Sequence, residues 1–295
     1  MAEKIHKGGE EVYQFKYSPK FIKRVFKGIP DSWRREAWYY TITNNLREAE
    51  FDDNLKRTYN DLLRVSSPHE RQIDLDVPRT MHGHIMFRTR YGQGQRILFN
   101  VLRAFSNYDK EVGYCQGMTN VVAMLLTYFE EEKTFVILTH LFRRYNLHNL
   151  FIPGFPALME SFEIQERLTQ KYAPKVAKAF SKVQITSSAY ATRWYITLFA
   201  GGVVPNHTLL RIWDVFFLNG FNVLYYVAVA LLKEHQGWLI DTLVKGDFEN
   251  IMNTLSATME VKNDDRFMRS VRRMHAKGEA EGLIESLRKK YREQD

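Results

Sequence analysis

Two side chains in the first half of this chain have the chemistry to act on a phosphoryl group. Arg79 lies in Ile73-Asp74-Leu75-Asp76-Val77-Pro78-Arg79-Thr80, three residues after Asp76, and Gln116 lies in Gly113-Tyr114-Cys115-Gln116-Gly117-Met118. A guanidinium is a permanent cation whose planar fork of donors fits phosphate oxygens. A glutamine amide carries both an acceptor and donors, the set needed to orient a water. Charge neutralisation and water placement are the parts that phosphoryl transfer requires beyond the nucleotide site itself. That nucleotide site is not visible here. Tyr91-Gly92-Gln93-Gly94-Gln95 follows no strand and has no Gly-Lys-Ser/Thr ending, so it does not read as a phosphate-binding loop.

Other chemistries are weaker. Cys115 at a helix start is a candidate thiolate, but no His, Asn or Asp partner adjoins it in sequence. His82-x-His84 has a metal-binding look without a Cys or carboxylate cluster beside it. Asp74 and Asp76 could form an acid/base couple, yet nothing else completes a glycosidase-like site, and Asp76 reads better as the partner of a basic neighbour. For Gln116 two readings stand side by side: a water-orienting amide, or a cap on a core helix.

The elements that must position these groups are helical. All eight prolines fall where helices would begin or break, and alternating apolar patterns are scarce. A short basic helix is expected over residues 17–27, stopped by Gly28-Ile29-Pro30. Asp31 or Ser32 then caps a helix running to Arg47, on which Arg34 and Trp38 share a face one turn apart. By spacing alone this pair is equally a core tryptophan with a surface arginine beside it. A helix over 53–65 ends at Ser66-Ser67-Pro68, and 72–81 reads as a loop or a single turn in which Pro78 restricts the backbone ahead of Arg79. Further helices are expected over 96–105, 116–129, 131–145, 158–172, 174–183, 187–201, 209–218 and 223–239, with amphipathic helices from Asp247 onward. The helix over 116–129 is apolar nearly all round and therefore buried, which sets Gln116 at an N-terminus where free amides favour an anion or a polarised water. Arg211 and Asp214 are expected to pair on one scaffold helix. The organisation is then a basic lead-in helix over 1–27, a main domain over 28–245 with a change of lobe near 151–156, and C-terminal helices over 246–295 packed on the second lobe.

A formal net charge of +8 and a pI near 9.3 favour acidic partners: nucleic acid, anionic lipid or an acidic protein face. One cysteine excludes an internal disulfide framework. The longest apolar run, 223–232, is too short to span a bilayer, and the N-terminus lacks a secretory core, so a soluble cytoplasmic protein is expected. Between Lys262 and Arg292 ten Lys and Arg stand against five Asp and Glu. A solvated helix face explains that excess, and an anionic membrane contact is the alternative.

The ordered set Arg34-x-x-x-Trp38, Ile73-x-x-Asp76-x-x-Arg79, Tyr114-x-Gln116 and Arg211-Ile212-Trp213-Asp214 resembles the TBC domain, a family of GTPase-activating proteins for Rab GTPases. Thr41 departs from the leucine that the family often has three residues after the tryptophan. The resemblance implies an all-α, two-lobed, V-shaped fold that receives the GTPase in its groove. It implies that Arg79 and Gln116 are an arginine finger and a glutamine finger supplied in trans. Asp76, Arg34, Tyr114, Trp38 and Ile73 would be their supports. The protein would then be an activator, not an enzyme with its own nucleotide: it needs no cofactor, because GTP and Mg²⁺ come with a GTP-bound Rab. Its setting would be vesicle trafficking, in the cytoplasm or peripheral on endomembranes. Two rivals differ in class. A non-catalytic Rab-binding scaffold is disfavoured by the presence of both fingers. A basic nucleic-acid binder is disfavoured by dispersed charge and the lack of any nucleic-acid motif.

Overall fold

A computed structural model describes residues 2–7, 10–15, 17–43, 45–276 and 278–292, which group into two units, Met1–His148 and Asn149–Asp295. Expectations falling on Met1, Gly8, Gly9, Lys16, Asn44, Lys277 and residues 293–295 lie outside the described residues.

The first unit begins with an antiparallel hairpin, β1 (Ala2–Lys7) and β2 (Glu10–Phe15), in which Ala2 pairs with Phe15 and Lys7 with Glu10. The lead-in helix expected over 1–27 is confined to α1 (Pro19–Val25), where the Ser18 hydroxyl accepts from the Phe21 amide at 3.2 Å. The β-favouring Val12, Tyr13 and Phe15, with Gly8-Gly9 between the strands in sequence, are the local signal for this hairpin.

α2 (Asp31–Thr43) stops short of Arg47, and α3 (Asn45–Leu62) starts eight residues before the expected Asp53. The cause is tertiary. Asp52 is buried against a later helix, with Oδ1 2.5 Å from His140 Nε2 and Oδ2 accepting from the Tyr39 hydroxyl at 3.2 Å. The segment read as a loop is α4 (Glu70–Asp76), continued by a 3-10 turn, Val77–Arg79. Pro78 is tolerated because it stands in the first turn of that new element, where a missing N–H is not needed.

The rest of the unit is α5 (Gln93–Tyr108), α6 (Met118–Leu126) and α7 (Glu131–Arg144), and the boundary between the units falls inside α8 (Leu147–Phe151). Leu98, Val101, Leu102 and Phe105 form one buried stripe of α5, and Phe105 meets Phe142 of α7 with ring centroids 4.5 Å apart. Every residue of α6 except Asn120 is buried, as its apolar run from Val121 through Leu126 requires. The Gly-x-Gly segment proves to be a packing device. A Cβ on Gly94 would lie 1.9 Å from the Met86 carbonyl oxygen, so only glycine lets α5 begin there.

The second unit contains α9 (Pro156–Tyr172), α10 (Pro174–Lys182), α11 (Thr192–Ile196), α12 (Asn206–Asn219), α13 (Asn222–Glu234), α14 (Gln236–Val244), α15 (Phe248–Ser256), α16 (Asp264–His275) and α17 (Glu279–Arg292). α13 is its axis, buried from Val223 through Leu232 and packed against α9, α12 and α16. The single helix expected over 223–239 is thus two, separated at His235, whose Nε2 lies 3.0 Å from the Glu260 carbonyl oxygen. Trp194 and Trp213 are fully buried and donate to the carbonyls of Leu255 (3.3 Å) and Leu198 (2.9 Å), so both indoles act as scaffold. Arg211 donates to Asp265 of α16 at 2.9 Å. α17 is fastened by Arg288 to Glu160 at 2.8 Å and by Glu281, which accepts from Asn222 at 2.8 Å. The class is all-α apart from the N-terminal hairpin. No helix among the described residues is long and apolar enough to cross a membrane.

Candidate functional site

The two motifs that stand 37 residues apart in sequence, counted from Arg79 to Gln116, meet on one carboxylate. Asp76 closes α4 and is 1% exposed. Its Oδ1 accepts from Arg79 Nη2 and, at 3.2 Å, from Gln72 Nε2, while its Oδ2 accepts from the Tyr114 hydroxyl. The Thr80 hydroxyl donates to the Asp76 carbonyl at 2.8 Å and closes the turn. Ile73, fully buried one turn earlier, holds α4 to the core. A buried carboxylate is tolerable only when its oxygens are paired, and here both are. Arg79 itself remains 59% exposed along its side chain. One of its nitrogens is tethered to Asp76, and the remaining donors of the fork bond to no other described residue, which leaves them for an anion.

Burial and the bond to Asp76 both push the Tyr114 hydroxyl pKa up, so it stays a proton donor. Tyr114→Phe strips Asp76 Oδ2 of that donor. The expected result is a folded protein destabilised by about 1–3 kcal/mol, the usual cost of an orphaned buried polar group. Urea denaturation of both proteins measures it, and an unchanged midpoint would show that Oδ2 does not depend on this hydroxyl.

Gln116 is exposed and stands just ahead of α6, not inside it. The helix cap is Gly117, at a φ of +105° that favours glycine, and no side chain caps the helix. The amide of Gln116 bonds to none of the described residues, so the capping alternative is not realised. Upstream, the turn after α5 is tightly built. The Gly113 amide donates to the Asp109 carbonyl at 2.8 Å, and Asp109 Oδ1 accepts from the Val112 amide at 3.3 Å. Gly113 has a φ of +60°, and a Cβ there would stand 2.3 Å from His69 Nε2. His148 closes the arrangement, with Nδ1 2.7 Å from Asp109 Oδ2 and Nε2 3.2 Å from Glu111 Oε2. Nothing in the sequence singled out His148, because it lies 39 residues from Asp109 in a helix with no distinguishing spacing.

Arg34 and Trp38 are both buried, so the surface-arginine alternative does not hold. Arg34, 6% exposed, pairs with Asp31 and donates to the Ile29 carbonyl at 2.5 Å. Tyr128, which follows α6, donates to Asp31 at 2.8 Å and packs on Trp38 with centroids 4.7 Å apart. Burial and the bond to Asp31 push the Tyr128 hydroxyl up to about 12. The Arg34–Trp38 cluster therefore meets the far end of the helix whose near end presents Gln116.

Cys115 is partly buried, and burial together with the nearby Asp76 raises its thiol pKa, the reverse of what a nucleophile needs. Asp74 does not share the surroundings of Asp76. It is exposed and lines a cleft of about 320 Å³ with Val77, Pro78, Tyr91, Arg96 and Phe99. Leu75, Ile85 and Tyr91 expose large apolar surface in the same stretch of chain as Arg79. His84 Nδ1 accepts from the Met86 amide at 3.3 Å, and among the described residues no three His, Cys, Asp or Glu side chains come together as a metal site.

Residues 31–240 match the Rab-GTPase-TBC domain family. A TBC domain-containing protein of Schizosaccharomyces pombe is 36% identical over 284 residues, covering 95% of this chain and 66% of the relative. The Rab GTPase-activating protein eat-17 of Caenorhabditis elegans is 34% identical, covering 75% of this chain and 24% of the relative. This chain thus spans just under two thirds of the first relative and about a quarter of the second. Among solved structures, a Chlamydomonas flagellar RabGAP TBC domain superposes with a TM-score of 0.72 at 23% identity, over 88% of this chain and 86% of that one. The Ypt/Rab-GAP domain of Gyp1p superposes with a TM-score of 0.70 at 19% identity, over 87% and 91%. At these identities the superpositions speak for the fold.

Proposed function

Because the chain belongs to the Rab-GTPase-TBC domain family, we propose that it accelerates GTP hydrolysis on a Rab-family small GTPase by supplying Arg79 and Gln116 in trans. The observation that carries this reading is the shared attachment of both motifs to the buried Asp76 carboxylate. One rigid anchor sets the cation and the glutamine segment together, and such positioning is most of what a loose phosphoryl-transfer transition state asks of a protein. Arg79 stabilises charge growing on the γ-phosphoryl oxygens with the part of its fork that Asp76 leaves open. Gln116, whose side-chain amide bonds to none of the described residues, orients the attacking water in line with the leaving group. Asp76 and Tyr114 hold the two segments, Ile73 seats α4, and Arg34 with Trp38 braces the far end of α6. GTP and Mg²⁺ arrive with the GTP-bound partner. Termination of Rab signalling in vesicle trafficking is the cellular consequence.

A panel of purified, GTP-loaded Rab GTPases tests the proposal through phosphate release with and without this protein. The expected outcome is acceleration of at least one member by about 10³-fold or more. Binding without acceleration across the panel would favour the scaffold reading. Basic side chains on the last two helices would give the protein a means of sitting on anionic membranes: Arg273, Lys289 and Lys290 are exposed, and Arg272 is partly so. At about 1 kcal/mol per basic residue near an anionic surface, reversing all four to Glu should weaken liposome sedimentation by well over tenfold. Hydrolysis with soluble Rab should be spared. Unchanged sedimentation would return these charges to an ordinary solvated face.

A further inference from the structure

We infer that His148 is a positioning residue for Gln116, its imidazolium clamped between Asp109 and Glu111 to hold the turn that delivers the glutamine. The inference rests on the role proposed above for Gln116. Its geometry is explicit. Nδ1 lies 2.7 Å from Asp109 Oδ2, and Nε2 lies 3.2 Å from Glu111 Oε2. Both ring nitrogens therefore face carboxylate oxygens, which only accept. A neutral ring has one N–H and can serve one of them; the doubly protonated ring serves both.

What the clamp holds is the start of the glutamine segment. Asp109 receives His148 on Oδ2 and the Val112 amide on Oδ1, and its carbonyl accepts from Gly113. Gly113 is confined by its positive φ and by His69 beside it. Tyr114, the next residue, is pinned to Asp76. From Asp109 to Tyr114 the chain is thus fixed at each end, and Cys115-Gln116 projects from the second anchor. Releasing the first anchor lets the turn shift, and a displacement of about 1 Å in a positioned group can cost on the order of a hundredfold in rate.

The charged groups facing the ring are Asp109 and Glu111, both from the turn after α5. Leu147, Asn149, Leu150 and Phe151, its neighbours on α8, are uncharged. Of the basic residues ending α7, Arg144 donates to the Ile42 carbonyl at 2.9 Å, and Arg143 lies over the Phe51 ring at 4.4 Å. Burial pulls the imidazole pKa down, but the bond to Asp109 and the charges of Asp109 and Glu111 outweigh it, so the ring titrates above its usual 6.5. The sign follows. The clamp is complete below the ordinary imidazole value and is lost as pH rises through the elevated one.

The test uses a Rab GTPase that responds to the protein, with its unstimulated rate measured at every pH. Wild-type stimulated kcat should fall as pH rises from 6.5 to 8.5. His148→Arg, a permanent cation at the same place, should flatten that profile. His148→Ala should lower kcat by about ten- to a hundredfold at pH 6.5 with little change in KM. Proton NMR of the His148 ring, without any GTPase, should show a midpoint above 6.5, with amide exchange at Val112 and Gly113 speeding over the same interval. A midpoint at or below 6.5, or a wild-type kcat and pH profile for His148→Ala, overturns the inference. If no GTPase responds, the proposed activity fails, and the NMR arm alone decides whether the clamp exists.

Discussion

Arg79→Ala is expected to lower the stimulated GTP hydrolysis by about 10³- to 10⁵-fold, the range an arginine finger supplies. At 1.36 kcal/mol per decade this is about 4–7 kcal/mol of transition-state stabilisation. The fold should survive, because the Arg79 side chain is 59% exposed and Asp76 keeps Tyr114 and Gln72 as donors. A modest loss of stability is expected from thinning the partners of a buried carboxylate, about 1–3 kcal/mol, readable by thermal unfolding. Arg79→Lys should fail as an activator too. An ammonium on a flexible stem can neutralise charge but cannot bond Asp76 and a phosphate at once through a planar fork. Single-turnover hydrolysis with a responsive Rab measures both variants, and near-wild-type rates for Arg79→Ala would remove the central claim.

Gln116→Ala should cost about as much as losing the arginine, since groups acting as one unit are not additive. The decisive companion experiment changes the GTPase instead. If Gln116 takes over water placement, a Rab whose own catalytic glutamine is replaced by alanine remains substantially stimulated. If the GTPase's glutamine does that work, the same Rab loses its response. Alanine is the substitution to use, because leucine could clash at the interface and imitate a catalytic loss. The Gln116 side chain is exposed, bonded to no described residue and displaced from the cap position by Gly117, which is how a side chain destined for a partner should be presented. Full loss of stimulation with the alanine Rab, despite intact binding in a transition-state-analogue complex, would sink the takeover mechanism.

Much of this arrangement was legible in residue types and local spacing. The all-α class, the buried α6 and the helix breaks at proline follow from preferences acting within a few residues, and such preferences are written along the chain. So is the chemistry of Arg79 and Gln116, because a guanidinium fork or an amide is a property of the side chain wherever it stands. The pairing of Asp76 with a basic neighbour was also local, three residues from Arg79.

Local patterns misled where tertiary contact competes with them. The stretch before Arg79 looked irregular because of Pro78, yet burial of Ile73 and Asp76 winds it into α4 and a 3-10 turn. α3 starts early because Asp52 finds His140, 88 residues away. For Arg34, spacing left a surface arginine and a support beside Trp38 equally open, and burial against Asp31 and the Ile29 carbonyl decides for the second. What the sequence by itself determined is which groups are available and which short segments coil. What only the tertiary structure decided is that Tyr114 and Arg79 share Asp76, and that His148 stands between Asp109 and Glu111. The reason is physical: distances between groups some 40 residues apart are set by how helices pack, through many weak contacts spread over the whole unit.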